Sequence, residues 1–404
     1  MDTRYDIIIT GGGLNGCALA LALGQAGLTV ALIDRQPVTS RQSDKFDGRS
    51  YALALSSARM LQTIGVFDEI HKSVQPINEV KVTDGRAGEG PSPFWMHFQD
   101  AAEDDGPMGY MIEDRHLRRA FLSAIKASDA ITHLDGQSVE AQSLGSVTLQ
   151  SGETINASVI IGADGRQSST AERAGITRSF KDYGQTALVA AIGHEKPHNG
   201  IAHQFFMPAG PLAILPLTDN RCSIVWAETR DRAATLDGLD DSAFIEALRP
   251  AFGDFLGELH VAGARFSYPL NQTIADSLIA DRVALIGDAA HGIHPIAGQG
   301  LNQGLRDSAA LAETLVEAKR RGEDIGSAAV LQRYARWRSF DRTGLALATD
   351  GFNKLFSNDN PLARLGRDLG MGVINALPGL KKTVIREAAG LTGDLPKLLK
   401  GRPL

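Results

Sequence analysis

The sequence contains few cysteines and no excess of positive charge, and each shortage excludes a class of protein. Only Cys17 and Cys222 occur among 404 residues, which is too few for a disulfide framework or a cysteine-rich metal site. This usage is typical of a protein in a reducing cytosol. The formal net charge of −6 at pH 7 argues against nucleic acid as the main partner, because phosphate binding needs a basic surface.

The sequence also lacks a recognisable targeting segment, a membrane-spanning segment and an internal repeat. Residues 7–33 carry no charged side chain, and by length alone such a run suggests a transmembrane helix or a signal peptide. However, several glycines interrupt the run, and no net basic segment precedes it. We therefore interpret residues 7–33 as a buried strand, a turn and a helix.

Glycine, by contrast, is abundant. The sequence has 43 glycines, where average usage would give roughly 28. Many of them lie next to four apolar, β-branched runs that predict buried parallel strands. These runs are Asp6–Thr10, Thr29–Ile33, Ala157–Gly162 and Arg282–Gly287. Because the carboxyl ends of parallel strands gather the ligand in an open α/β sheet, we expect the segments that follow these strands to form one site.

The first glycine-rich motif, residues 11–16, follows a predicted strand and opens a predicted helix. It is typical of a dinucleotide-binding turn. Gly11 permits the tight turn, Gly13 lets the backbone approach a pyrophosphate, and Gly16 allows close packing of helix on strand. The phosphates would lie at the helix N-terminus, where free N–H groups favour anions. Asp34 ends the next predicted strand, where a carboxylate accepts hydrogen bonds from ribose hydroxyls.

Two later loops follow strands in the same way and favour FAD over NAD alone. Asp164 and Gly165 follow the third predicted strand, and Asp288 follows the fourth. Residues 294–302 then open a helix through a glycine-containing loop. Backbone N–H groups of this loop could bind the pyrimidine edge of a flavin, and Asp288 could hold a ribityl hydroxyl. An NAD dehydrogenase has no need of three such loops.

The region between the second and third loops predicts an antiparallel sheet. Its strands have no evident helical crossover between most of them. The predicted strands are Thr186–Ile192, His203–Phe206, Leu212–Leu217, Cys222–Ala227 and Arg265–Leu270. After Gly300 the pattern becomes helical, through Leu305–Lys319 and Leu331–Phe356.

With these motifs in place, the sequence resembles the FAD-dependent aromatic hydroxylases, the group A flavin monooxygenases of the p-hydroxybenzoate hydroxylase fold. Within them it is similar to the ubiquinone-biosynthesis hydroxylase family. The run from His294 to Asp307 matches the signature of that family throughout. Further matching segments span nearly the whole chain, and they are residues 47–53, 183–185, 210–217 and 350–356.

The resemblance implies a set of residues that contact FAD. Arg49 would face the pyrophosphate or the incoming nicotinamide cofactor, although the residues alone leave a surface salt bridge as an alternative. The Asp164-Gly165 pair is associated in the family with both FAD and NAD(P)H. The full set is Gly11, Gly13, Gly16, Asp34, Arg49, Asp164, Gly165, Asp288, Gly298, Gln299, Gly300, Leu301 and Asn302.

The resemblance also implies the chemistry. NAD(P)H reduces FAD, O₂ adds to the reduced flavin, and the C4a-hydroperoxide transfers one oxygen atom to an electron-rich phenol. Pro295 would lie beside the isoalloxazine, and His203 and Tyr183 are candidate catalytic residues for which a structural role stays open. No metal is needed, because His291 and His294 lack the spacing of a ligand pair.

A polyprenylated phenol would also need an apolar channel. Four side chains of the predicted antiparallel sheet could help to line it, and they would serve equally well as the core of the sheet. These residues are Phe205, Phe206, Ile214 and Leu215.

The fold expectation is an α/β protein with a Rossmann-like FAD-binding domain, an inserted, mostly antiparallel β substrate domain and a helical C-terminal segment. The length of the chain predicts two to three domains at about 150 residues each. The FAD-binding domain is assigned to residues 1–75, 108–182 and 273–345. The substrate domain is assigned to residues 76–107 and 183–272, and the C-terminal segment to residues 346–404.

The expected function is hydroxylation of a polyprenylated phenol in ubiquinone biosynthesis. The alternatives are a hydroxylase of a small soluble aromatic acid, a flavin reductase that does not use O₂, and a non-enzymatic flavin-binding module. Residues 354–404 hold nine Lys or Arg against four Asp or Glu. This segment is either a helical cap on the domain or a contact with an anionic membrane surface. We expect a cytoplasmic protein, and assembly with other enzymes of the pathway is a family-level expectation.

Overall fold

The structure is a computed structural model that describes residues 4–41, 46–86, 90–98, 106–292, 299–339, 383 and 385–404. All structural statements below concern these residues. Pro295 and Gly298 lie outside them, as does most of the C-terminal segment predicted to be helical.

The strands are numbered β1 to β20 in chain order. They are β1 (Arg4–Thr10), β2 (Val30–Asp34), β3 (Ser50–Ala54), β4 (Gln75–Ile77), β5 (Glu79–Arg86), β6 (Gly90–Phe98), β7 (Gly109–Glu113), β8 (Ile131–Asp135), β9 (Val139–Ser143), β10 (Ser146–Leu149), β11 (Thr154–Gly162), β12 (Arg178–His194), β13 (Ile201–Met207), β14 (Gly210–Leu217), β15 (Arg221–Thr229), β16 (Leu259–Val261), β17 (Phe266–Ala275), β18 (Ile279–Ala280), β19 (Val283–Leu285) and β20 (His291–Gly292).

The helices are numbered in the same way. They are α1 (Leu14–Gln25), α2 (Leu55–Thr63), α3 (Phe67–Ile70), α4 (Asp114–Lys126), α5 (Ser169–Arg173), α6 (Arg230–Asp237), α7 (Asp241–Phe252) and α8 (Gln299–Arg320). A further helix covers residues 328–339.

The first sheet has the order β18-β19-β11-β1-β2-β8, and β9 and β10 extend it beside β11. The pairs β19–β11, β11–β1, β1–β2 and β2–β8 are parallel. The four predicted parallel strands are therefore confirmed. Helices α1 and α8 pack together and share the main hydrophobic core with this sheet, and all five residues of β2 are buried, as expected for a central parallel strand.

The second sheet has the order β20-β17-β12-β15-β14-β13-β5-β6 and also includes β16. The predicted antiparallel strands are confirmed, with β12 central between β15 and β17. One pair among the described strands of this sheet, β13 with β5, is parallel. A third, small sheet of order β3-β7-β4 is antiparallel. Its buried side chains share hydrophobic clusters with both of the other sheets.

The two faces of the second sheet have different neighbours. One face packs against α6 and α7, and its large side chains include Leu188, Ile214 and Trp226. The opposite face packs against the small sheet, where Ala191 and Ala202 share a cluster with residues of β4 and β7. We call these the helix-covered face and the inner face.

The alternation of side chains along the strands contradicts the expectation that four residues of this sheet line one apolar channel. Ile214 and Phe205 pack in the helix-covered cluster, whereas Phe206 and Leu215 belong to clusters on the inner face. Successive side chains of a strand point to opposite faces, so the prediction that these four residues line one channel is wrong. Phe205 and Ile214 are core residues of the sheet.

Residues 395–399 pack onto the core of the first sheet. Leu395, Leu398 and Leu399 are buried in its core, and the indole N–H of Trp337 donates to the Asp394 carbonyl at 2.9 Å. This part of the chain therefore acts as a cap, and residues 346–382 lie outside the described residues. Among the helices that the structure describes, none is both long and apolar enough to cross a membrane.

Candidate active site at the carboxyl ends of the parallel strands

The first loop connects β1 to α1 and is built on glycine. Gly11 has φ of +108°, and a Cβ there would overlap the carbonyl oxygen of Ala163 at the end of β11. A Cβ on Gly16 would overlap the carbonyl oxygen of Gly11. Both positions therefore require glycine, one for the turn and the other for the close approach of the helix to the turn.

Gly13 has a different surrounding. It is the N-cap of α1, with ordinary extended backbone angles and no side chain that caps the helix. No atom of the described residues lies within 4 Å of the place that a Cβ would take. The N-terminus of this 12-residue helix thus has no side-chain cap and has room beside Gly13, and such a helix end can bind a phosphate group.

Asp34 lies directly against this loop. It is buried at the end of β2, and its Oδ1 accepts a hydrogen bond from the Gln36 amide at 3.0 Å. A Cβ on Gly12 would overlap its Oδ2. The structure therefore brings Asp34 to the backbone of the loop, as the sequence predicts.

The second loop, after β11, uses its carboxylate within the protein. Asp164 accepts hydrogen bonds from the Ser168 hydroxyl, from the Thr170 amide at 3.0 Å and from the Thr170 hydroxyl at 2.8 Å. These bonds fix the turn that leads into α5. The side chain of Asp164 is thus engaged in the fold, and Gly165, with φ of +81° and no neighbour within 4 Å of a Cβ, presents backbone to the open space.

The third loop, after β19, meets the second through an ion pair. Asp288 is 40% exposed, and its Oδ2 lies 3.3 Å from Nε of Arg166. Arg166 also donates to Oδ1 of Asn271 at 2.9 Å, which connects the loop to β17 of the second sheet. Sequence reasoning missed Arg166, although its position directly after the Asp-Gly pair is a usable signal.

The start of α8 closes the site from another side. Oδ1 of Asn302 accepts from the Ala54 amide, and its Nδ2 donates to the Ala52 carbonyl, both at 2.8 Å. The side chain of Asn302 thus pairs with β3 like a neighbouring strand. Leu301 packs partly buried against the core, and Gly300 has no neighbour within 4 Å of a Cβ. Gln299 begins the helix.

Arg49 makes the salt bridge that sequence reasoning left open. Its Nη2 lies 2.6 Å from Oδ2 of Asp47 and 3.7 Å from Oδ2 of Asp114. The hydrogen bond to Asp47 is the main reason why the pKa of Arg49 is raised. Buried Asp114 also accepts from the Tyr51 hydroxyl at 2.9 Å and from Arg118 at 2.8 Å. The Arg49 side chain remains 44% exposed, so it is accessible to an anion that enters the crevice.

The two candidate catalytic residues in the second sheet do not lie together. His203 points to the helix-covered face, where its ring is 4.6 Å from that of Phe255. The inner face is the one that contacts the small sheet, so the position of His203 does not support a catalytic role. Tyr183 lies at a register shift between β12 and β17, with Nζ of Lys181 5.0 Å from its ring centroid.

His203 instead predicts a pH-dependent stability. Burial, followed by the charge of Lys81, lowers its pKa from 6.5 to about 4, with Glu79 opposing. Because the unfolded chain takes up a proton between these values and the folded chain does not, the free energy of unfolding should fall by about 2–3 kcal/mol from pH 7 to pH 4 through this residue. His203→Phe should remove this fall while retaining enzyme activity, as measured by urea unfolding and by NAD(P)H oxidation.

The matched control is His71→Gln, which removes an exposed histidine and should leave the pH dependence unchanged. Loss of activity in His203→Phe at unchanged stability would contradict the structural role.

No group of three or more His, Cys, Asp or Glu side chains within the described part of the chain is arranged to hold a metal ion. The buried cysteines Cys17 and Cys222 are both free thiols. The polar groups of the site are therefore those of the three loops, of α8 and of the Arg49 cluster.

Comparison with known proteins identifies the family. Residues 4–340 match the model of the FAD binding domain family. The chain is 42% identical to ubiquinone hydroxylase UbiL of Rhodospirillum rubrum, over 100% of this chain and 94% of that protein. The chain belongs to this family of FAD-dependent hydroxylases. It is also 33% identical to 3-demethoxyubiquinol 3-hydroxylase of Escherichia coli, over 96% of this chain and 98% of that protein.

The family membership confirms FAD as the cofactor and the chain as an FAD-dependent monooxygenase. The fold agrees with that of p-nitrophenol 4-monooxygenase PnpA from Pseudomonas putida, with a TM-score of 0.79, 20% identity and coverage of 97% of this chain and 99% of that chain. The α/β fold with an inserted antiparallel sheet is thus confirmed.

Proposed function

We propose that this enzyme hydroxylates the aromatic ring of a polyprenylated phenol in ubiquinone biosynthesis, with NAD(P)H as reductant and O₂ as the source of oxygen. The observation that carries the proposal is the meeting of three glycine-bearing loops around open space at the ends of β1, β11 and β19. The 42% identity to a ubiquinone hydroxylase over the full chain supports the substrate class.

The residues present fit FAD, because Gly13, Gly165 and Gly300 all leave room for it. We assign the pyrophosphate to the amides at the start of α1, the ribose to Asp34 and the ribityl chain to Asp288. The segment from Gly298 to Asn302 is assigned to the pyrimidine edge of the flavin through its backbone N–H groups. The side chain of Asn302 is occupied by β3, and Asp164 acts through the turn that it fixes.

FAD, when bound, would supply the hydride acceptor for NAD(P)H and the site of O₂ activation, and the protein would bind, orient and shield the reactants. Arg49 is the candidate contact for the phosphates of NAD(P)H, because it is the half-exposed cation of its cluster. Binding of NAD(P)H would require Arg49 to exchange its contact with Asp47 for the incoming anion. Pro295 and Tyr183 remain candidates for contact with the flavin ring and the phenol.

The substrate is assigned to the inner face of the second sheet. Three of its strands carry apolar side chains there, with Ala187, Ala227 and Leu270 in one cluster and Val189 and Val225 partly buried against it. These apolar side chains would suit the ring and the chain of a polyprenylated phenol. In this proposal residues 76–107 and 183–272 hold the substrate, and residues 1–75, 108–182 and 273–345 hold FAD.

The test compares substrates with the FAD-loaded enzyme. NADH and NADPH oxidation and the incorporation of one oxygen atom are measured with a polyprenylated phenol, with the same phenol without its chain and with a soluble aromatic acid. We expect coupled hydroxylation with the first substrate. Coupled turnover of the aromatic acid alone would favour a hydroxylase of soluble acids, and NAD(P)H oxidation without any hydroxylation would favour a flavin reductase.

The same proposal predicts a metabolic result. Deleting the gene should lower the amount of ubiquinone and cause a precursor that lacks one ring hydroxyl to accumulate, and mass spectrometry of the quinone fraction measures both. Unchanged ubiquinone with no such precursor would exclude the proposed substrate. Contact with a membrane and assembly with other enzymes of the pathway remain predictions.

A further inference from the structure

A buried cluster of charged residues lies beneath the third loop and has no part in the function assigned above. Asp307 on α8 is fully buried. Its Oδ2 lies 2.7 Å from Nε2 of His291, and its Oδ1 lies 2.7 Å from Nε of Arg338. Arg338 also donates to Oε1 of Gln303 at 3.0 Å. We call His291, Asp307 and Arg338 the buried triad.

The triad is bonded to the backbone of the loop that carries Asp288. The amide of Gly287 donates to Oδ2 of Asp307 at 2.9 Å. Gly287 has φ of +58°, a conformation that this hydrogen bond helps to hold. His291 follows the same turn in β20 and bonds to the same carboxylate oxygen. The carboxylate of Asp307 therefore forms hydrogen bonds at both ends of the turn.

The partners of the triad come from three separate pieces of the chain. Asp307 belongs to α8, Gly287 and His291 flank the turn after β19, and Arg338 belongs to the helix of residues 328–339. The next residue on α8, Ser308, donates to the carbonyl of Gly304 within its own helix at 2.8 Å, and its hydroxyl also lies 3.2 Å from the carbonyl of Asn15 in the first turn of α1. Helix α8 thus contacts both the start of α1 and the third loop through two consecutive buried side chains.

We propose that Asp307 is a positioning residue for FAD, which acts by fixing the Gly287–Asp288 turn relative to α1 and α8. Burying the carboxylate of Asp307 costs free energy unless all three of its donors bond to it. These bonds therefore hold the turn in one arrangement. A turn that is already in the correct position lowers the entropic cost of ordering the site when FAD binds. The proposal rests on the assignment of Asp288 to the cofactor.

The experiment titrates FAD onto the apoprotein and follows the quenching of FAD fluorescence, at a temperature where circular dichroism shows that each variant is folded. Asp307→Ala should raise the dissociation constant of FAD about tenfold, the effect expected for losing one hydrogen bond to a charged group. The control is Glu313→Ala, on the same helix, whose buried carboxylate binds the amide of Lys397. Its dissociation constant should stay within about twofold of the wild-type value.

Asp288→Ala distinguishes a failure of the assignment of Asp288 to FAD from a failure of the positioning role of Asp307. If Asp288→Ala leaves FAD affinity unchanged, the assignment of Asp288 fails. If Asp288→Ala weakens FAD and Asp307→Ala does not, the positioning role of Asp307 is overturned, and it is also overturned if Glu313→Ala weakens FAD as much as Asp307→Ala.

Should Asp307→Ala not fold, His291→Phe takes its place, because it removes one donor to Asp307 and leaves the bonds to Arg338 and Gly287 intact. An increase in the FAD dissociation constant of about threefold is then expected. An unchanged dissociation constant in a folded His291→Phe protein overturns the proposal.

Discussion

Replacing Gly13 with leucine should raise the dissociation constant of FAD by at least about 100-fold, a loss of about 2.7 kcal/mol of binding free energy. The leucine side chain would project into the open space at the N-terminus of α1, where the pyrophosphate is assigned. The backbone of Gly13, with φ of −72° and ψ of 178°, suits any residue. Stability of the apoprotein should therefore fall by less than about 1 kcal/mol.

Two other glycine substitutions serve as controls for Gly13→Leu. Gly16→Ala should unfold or severely destabilise the protein, because its Cβ would overlap the carbonyl oxygen of Gly11. Gly238→Leu, at the exposed end of α6 with φ of −76°, should change neither folding nor FAD affinity. FAD titration and thermal unfolding of the apoproteins measure both properties. Wild-type FAD affinity in Gly13→Leu would show that the cofactor does not approach this loop.

Replacing Arg338 with methionine should lower the free energy of unfolding by about 3–5 kcal/mol, because it removes the guanidinium that pairs with the buried carboxylate of Asp307. Both side chains are almost completely buried. The double variant Asp307→Asn with Arg338→Met should recover part of the loss, since the amide still accepts the bond from the Gly287 N–H. Urea unfolding at fixed pH measures all three proteins.

The pH dependence of the Arg338→Met variant follows from the pKa of Asp307. Burial alone would raise that pKa, but the charges and hydrogen bonds of His291 and Arg338 lower it from 3.8 to about 2. The carboxylate therefore stabilises the wild-type fold above about pH 4, and this contribution is lost as the pH falls towards 2. In Arg338→Met the pKa should rise, so the deficit in stability relative to wild type should be largest at neutral pH and shrink below pH 4.

The control for this prediction is Arg333→Met on the same helix. Arg333 pairs with Glu323, and both side chains are about one-third exposed, so the expected loss is below about 1 kcal/mol. Equal losses in Arg333→Met and Arg338→Met would mean that the buried charges contribute no more than a surface pair.

The sequence could predict the parallel strands and the cofactor loops because their signals are local. An apolar run buried on both faces has to be a central strand, and residues 11–16 can form their turn only with glycine at its tight positions. Asp34 was predictable for the same reason, since it ends the strand that follows the loop.

The sequence could not predict which face of the second sheet each side chain would take. Alternation assigns His203 and Phe205 to the same face, but only the packing of α6 and α7 decides that this face is covered by helices. For the same reason, one strand carries both Phe205 in the sheet core and Phe206 on the inner face.

Composition, apolar periodicity and glycine spacing by themselves determined that the chain forms an α/β protein, and they predict a dinucleotide site at the ends of its parallel strands. Tertiary structure alone decided how the carboxylates are used. Asp164 is turned inward to hold α5, Arg49 pairs with Asp47, and Asp307 meets its partners from distant segments. These outcomes depend on contacts between residues far apart in the chain, which local patterns do not contain.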